Sequence, residues 1–111
     1  MKTTYPLLLL LGLCLGLSGQ CPVPRNYTAD HITTTSIEID LSASGIGPWE
    51  IEYGPFGFML GTGTSFNSNN NQITITNLSP ATHYRVFIRR QCANQNSANS
   101  SFDFHTACGT I

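Results

Sequence analysis

Lysine is almost absent from this chain: it occurs once, at position 2, and arginine raises the basic total only to 5 against 6 acidic residues. Charged side chains make up 10% of the 111 residues, where a soluble domain usually carries about a quarter. With no basic tract, the chain has little to grip a phosphate backbone or an anionic membrane surface. The expectation is therefore no nucleic-acid partner. Long hydrophobic runs are also missing. The longest, residues 7–17, is about half of the ~20 residues that a bilayer-spanning helix needs. After residue 20 no segment repeats its apolar residues at a helical period, which argues against helices as the main structure. Catalytic patterns are lacking as well. Serines, histidines and aspartates occur, but none sits in a nucleophile elbow or a similar arrangement. The sequence predicts no enzyme and no cofactor.

What is present begins with a leader. Lys2 gives a positive start, residues 7–17 are apolar, and Gly16, Ser18 and Gly19 supply small residues near a cleavage point. This pattern predicts a signal peptide over residues 1–19 and a secreted or cell-surface product. Leu13 precedes Cys14 and Gln20 precedes Cys21, so neither cysteine has the small neighbour that lipid attachment requires. Beyond the leader remain about 90 residues, enough for one domain with a modest core. That part keeps Arg25, Arg85, Arg89 and Arg90 against Asp30, Glu38, Asp40, Glu50, Glu52 and Asp103, and no membrane insertion is expected of it. It also keeps three cysteines, Cys21, Cys92 and Cys108. The odd count leaves one thiol over.

Strict alternation dominates the rest. Ile37, Ile39 and Leu41 alternate with Glu38 and Asp40, and Trp49, Ile51 and Tyr53 alternate with Glu50 and Glu52. Ile73 and Ile75, then Tyr84, Val86 and Ile88, then Phe102 and Phe104 follow the same rule. Weaker strands are expected over residues 27–32 and 58–62. Glycine, proline and asparagine separate the runs, notably at residues 45–48, 54–57 and 67–71. Seven short strands at 8–12-residue spacing predict an all-β, antiparallel sandwich.

The segment Leu78-Ser-Pro-Ala-Thr-His-Tyr84, with Leu78, Pro80 and Tyr84 spaced before an alternating strand, resembles the corner of a fibronectin type III domain. There a tyrosine ties its hydroxyl to the backbone where the chain crosses between sheets. Cys21-Pro-Val-Pro, Trp49-Glu-Ile-Glu-Tyr-Gly-Pro55 and Phe104-His-Thr-Ala-Cys-Gly109 are similar to type III modules of exported bacterial proteins of the Bacteroidetes type. The resemblance implies a seven-stranded immunoglobulin-like β-sandwich over residues 20–107, with residues 108–111 a tail that opens a further module. It implies a non-catalytic extracellular module for protein–protein or cell-surface adhesion, or a spacer, with an unidentified protein or glycan ligand. The alternative is an accessory domain of a secreted carbohydrate-active or other hydrolytic enzyme. Two departures stand out. Leu41 occupies the second strand where many relatives place tryptophan. Arg90 falls in phase with the inward residues and is expected to reach solvent along the sandwich edge. There is no Arg-Gly-Asp triplet to carry over an integrin-binding role.

Strand parity then sorts the cysteines. In an antiparallel count of seven, Cys21 before the first strand and Cys92 after the sixth share one pole, and Cys108 lies at the other. A strand of about six residues spans roughly 20 Å, against about 4.4–6.8 Å between bridged Cα atoms. The expected disulfide is Cys21–Cys92. His31, His83 and His105 show no ligand spacing along any one strand, so no metal is expected. The asparagine sequons at Asn26, Asn77 and Asn99 arise readily by chance in a chain this rich in Asn, Ser and Thr. Recognition is expected from the pole loops 42–48, 63–71 and 93–100. Tyr53, Phe56, Phe58 and Met59 offer a more apolar surface, though core or edge packing is the plainer account of them.

Overall fold

Each alternating run becomes a strand with one face in the core. In the computed structural model, which describes residues 21–109, the order is β1 Thr28–Asp30, β2 Ile37–Asp40, β3 Trp49–Pro55, β4 Thr64–Ser68, β5 Gln72–Ile75, β6 His83–Arg90 and β7 Ser100–His105. A 3₁₀ turn, Ser42–Ser44, lies between β2 and β3. The leader expected at residues 1–19 lies outside the described residues.

The strands form two antiparallel sheets, ordered β1-β2-β5 and β4-β3-β6-β7. In register, Ile37 faces Ile75 and Ile39 faces Ile73 in the first sheet. Ile51 faces Phe66 on one side and Ile88 on the other in the second. The inner faces meet in one core of Ile37, Ile39, Leu41, Trp49, Ile51, Ile73, Ile75, Leu78, Tyr84, Val86, Ile88 and Phe104. Tyr53 and Phe66 pack against it edge to face, with centroids 6.4 Å apart. Tyr53 thus belongs to the core side of β3. Among the described residues no helix is long and apolar enough to cross a membrane.

Four expectations need correction, the last of them at Arg90. The fourth strand is not residues 58–62 but Thr64–Ser68. Phe58 and Leu60 imitate alternation, yet the amides there are spent on turns. Phe58 N–H donates to Pro55 O at 2.9 Å and Thr62 N–H to Met59 O at 3.0 Å. The expected loop 63–71 accordingly shrinks, because β4 fills most of it. The first strand stops at Asp30, since His31 adopts a left-handed φ of 52°.

Arg90 does not run out along the edge. It folds across the indole of Trp49, with its guanidinium carbon 4.6 Å from the ring centroid. It donates to three carbonyls: Pro22 at 3.0 Å, Ser44 at 2.6 Å and Ile46. At the same pole Cys21 and Cys92 are bonded, with Cα atoms 5.9 Å apart. Cys108 is free and exposed.

Candidate recognition face

The outer face of the four-stranded sheet follows from parity. The residues out of phase with the core are Glu50, Glu52 and Gly54 on β3, His83, Arg85, Phe87 and Arg89 on β6, and Asp103 and His105 on β7. The eight-residue β3–β4 connection, residues 56–63, doubles back over this face. Phe58 is its anchor. The ring lies over Gly54 and Gly63, where an added Cβ would come within 2.9 Å and 2.5 Å of it. Only glycine at both positions allows so close an approach. The same ring meets Phe87 edge-on at 5.6 Å. Glu52 completes the attachment: one carboxylate oxygen accepts from Gly61 N–H at 2.7 Å and from Gly63 N–H at 2.8 Å.

A loop pinned in this way holds three apolar side chains out in solvent. Phe56 is 50% exposed, Met59 74% and Leu60 51%. Behind Leu60 runs an open cleft of about 300 Å³, lined by Glu50, Glu52, Phe87, Arg89 and Asn99 among others. Arg89 closes one wall by ion-pairing with Glu50 at 2.6 Å. At the lower end Phe56 stacks on His83 at 4.1 Å, and Arg85 lies 4.7 Å from the centre of the same phenyl ring. His83 Nε2 contacts the Asp103 carboxylate at 2.6 Å. That hydrogen bond holds the Asp103 carboxyl below its ordinary pKa, against a smaller opposing effect of burial.

The opposite sheet carries a second polar group. Asp30 and Glu38 face one another directly across β1 and β2, an unfavourable pairing of like charges. His31 Nδ1 approaches both, at 2.8 Å and 3.2 Å. The hydrogen bond to Asp30, then the charges of Asp30 and Glu38, raise the His31 pKa. The three side chains are exposed and could offer ligand atoms to a cation.

The residues singled out at the corner and the pole sit as follows. Tyr84 Oη accepts from Ser79 N–H at 2.8 Å, and Leu78 is buried beside it. The Pro80 carbonyl accepts from the Thr82 hydroxyl at 2.8 Å. Thr106, which the sequence did not flag, stitches the corner by donating to Ser79 O at 2.6 Å and accepting from Thr82 N–H at 2.9 Å. Trp49 is fully buried and donates from Nε1 to Asn71 Oδ1 at 2.9 Å. Tyr84→Phe leaves the Ser79 amide without its acceptor. The expected loss is about 1 kcal/mol, read as a lower urea midpoint at unchanged slope.

No family model matches the chain, and no curated protein matches it. Solved structures do. The chain resembles the type III domain of human collagen α-1(XX) at 22% identity and TM-score 0.70, over 84% of this chain and 91% of that one. It resembles a two-domain type III segment of chicken tenascin at 20% identity and TM-score 0.65, over 75% of this chain and 49% of that one. A computationally redesigned β-sandwich protein matches at 22% identity and TM-score 0.67, over 83% and 96%. At these identities the likeness speaks for architecture. The described residues fold as an all-β sandwich of the fibronectin type III kind.

Proposed function

We propose that the chain is a non-catalytic recognition module of an exported bacterial protein, making protein–protein or cell-surface contact through the β3–β4 loop. One observation carries this reading: Phe56, Met59 and Leu60 are exposed together on a loop fixed in place by Phe58 and Glu52. A spacer gains nothing by displaying apolar groups, whereas a contact surface needs them clustered and preorganised. The signal-peptide pattern, the disulfide and the fold all agree with an extracellular setting.

Met59→Ser combined with Leu60→Ser tests it. Both side chains point into solvent, so unfolding should move by no more than about 0.5 kcal/mol. Beads coated with the mature chain are expected to adhere to cells of the source organism, and beads coated with the double variant to lose most of that adhesion. Equal adhesion by both would remove the loop from the contact.

The runner-up, an accessory role beside a secreted carbohydrate-active enzyme, draws on the cleft, where Phe87 sits among Glu50, Glu52, Arg89 and Asn99. Planar polar groups around a ring suit a sugar. A glycan array is expected to stay blank; a hit lost on Phe87→Ala would favour the runner-up. Coding sequence beyond Ile111 bears on the same choice, since an adjoining hydrolase supports the accessory role and further modules support adhesion.

A further inference from the structure

We propose that His83 and His105 form a surface binding site for a borderline divalent transition-metal ion of the copper(II), nickel(II) and zinc(II) class, with Asp103 as the group that orients His83. The starting point is register. His83 on β6 lies directly opposite His105 on β7. In the next pair along, Thr106 N–H donates to Thr82 O at 3.0 Å. Pairs alternate along an antiparallel ladder, so the 83/105 pair is of the non-hydrogen-bonded kind, in which side chains come closest. Both rings leave the outer face together and stack at 4.0 Å with 17° between their planes.

The two imidazoles have different duties. His83 is held on two sides, by the Phe56 ring at 4.1 Å and by Asp103 on Nε2 at 2.6 Å. Because the Asp103 carboxylate is ionised, Nε2 carries the proton and donates it. The lone pair is left on Nδ1. A histidine whose second nitrogen is tied to a carboxylate is the usual arrangement of a metal ligand, with tautomer and ring orientation fixed in advance. His105 is exposed, and its ring stacks on His83. Its ring can turn about a soft terminal torsion without breaking a hydrogen bond. One ligand is thus preset and the other free to swing onto the ion.

Arg85 bears on the chemistry too. Its guanidinium approaches Asp103 at 3.9 Å while lying against Phe56. The charge of Asp103 is therefore shared between Arg85 and His83, and the carboxylate serves as an orienting partner while neutral nitrogens bind. Paired imidazoles favour zinc, copper and nickel over magnesium or calcium. The Asp30–His31–Glu38 group is the competing location. It offers one imidazole, whose Nδ1 is already engaged by both carboxylates, and it lies on the other sheet.

The test uses the mature chain with Cys108→Ser, which removes the free thiol as a ligand. Titration calorimetry with NiCl₂ and with ZnCl₂ is expected to give one-to-one binding. Trace CuCl₂ is expected to broaden the ring-proton NMR signals of His83 and His105 first. His105→Ala and His83→Ala should each weaken nickel binding by at least about tenfold, and Asp103→Asn by about tenfold. His31→Ala should leave it unchanged. All four substitutions are at the surface, and unaltered amide spectra confirm that folding is intact. No binding at millimolar metal would overturn the site. So would loss of binding on His31→Ala with retention on His105→Ala.

Discussion

Replacing Cys21 and Cys92 together with alanine is expected to cost about 4 kcal/mol of stability, the value for opening a loop of about 70 residues in the chain-entropy view. The two cysteines are 71 positions apart, so the bond closes nearly the whole sandwich and removes many extended conformers from the unfolded ensemble. In the folded state it fastens the segment before β1 to the end of β6. That segment is held as well by the fully buried Pro24, by the Pro22 carbonyl accepting from Arg90, by two hydrogen bonds between the Asn26 backbone and the Ser44 hydroxyl, and by Tyr27 packed on Phe102. For a domain of this size the loss corresponds to a fall in melting temperature on the order of 20 °C. Calorimetric melting of wild type with and without reductant, beside the double variant, measures it. Reduced wild type and the double variant should melt together, well below the oxidised protein. A loss under about 1 kcal/mol would mean that the chain-entropy account fails and that other pole contacts carry the stability. Cys108, exposed at the opposite pole, does not substitute for either partner, because a strand's length separates the poles.

That pairing is legible in the sequence because it needs only a strand count and a direction. The inward face was equally legible wherever alternation was strict. Ile37 and Ile39, Trp49 and Ile51, and Val86 and Ile88 all point to the core, and in a strand a period of two leaves little freedom over which side faces in. The fourth strand was misplaced for a physical reason. As an edge strand, Thr64–Ser68 needs a single inward apolar residue, Phe66, and so shows no pattern. The glycine-rich stretch before it carries Phe58 and Leu60 at a strand-like interval while its amides bond to Pro55, Met59 and Glu52. Nor could spacing reveal His83 beside His105. They are 22 positions apart and become neighbours only through cross-strand register, whereas spacing along one strand says nothing of partners on another. The exposed loop was half legible: its apolar composition marked a surface, but the pinning by Phe58 against Gly54 and Gly63 depends on a chain reversal that the sequence does not announce.

Arg90→Ala is expected to cost about 3 kcal/mol, the next largest effect. By alternation this position points inward, a place where a charge is expensive unless it is paired. The protein resolves the conflict at the strand's end, where the guanidinium clears the core and finds carbonyls from two separate segments, Pro22 on one and Ser44 and Ile46 on the other. Each charge-assisted bond adds about 1.5–3 kcal/mol in a shielded setting. Pro22 and Ile46 are themselves exposed, so water can replace part of what is lost, and the sum falls well short of three full bonds. The contact with Trp49 adds to it, since a guanidinium over an indole face is favourable and also keeps water from the ring. Arg90→Met separates the two contributions, because it retains an aliphatic cover over Trp49 while deleting the donors. Arg90→Lys keeps the charge without the planar fork and should recover less than half of the loss. Urea unfolding gives the free energies, and the emission of Trp49, the single tryptophan, reports whether the indole has been uncovered. The expected order of stability is wild type, Lys, Met, Ala, with a red-shifted folded-state emission in the alanine variant alone. A methionine variant as stable as wild type would show that Arg90 works as a cover for Trp49 and that the three carbonyls are equally well served by water.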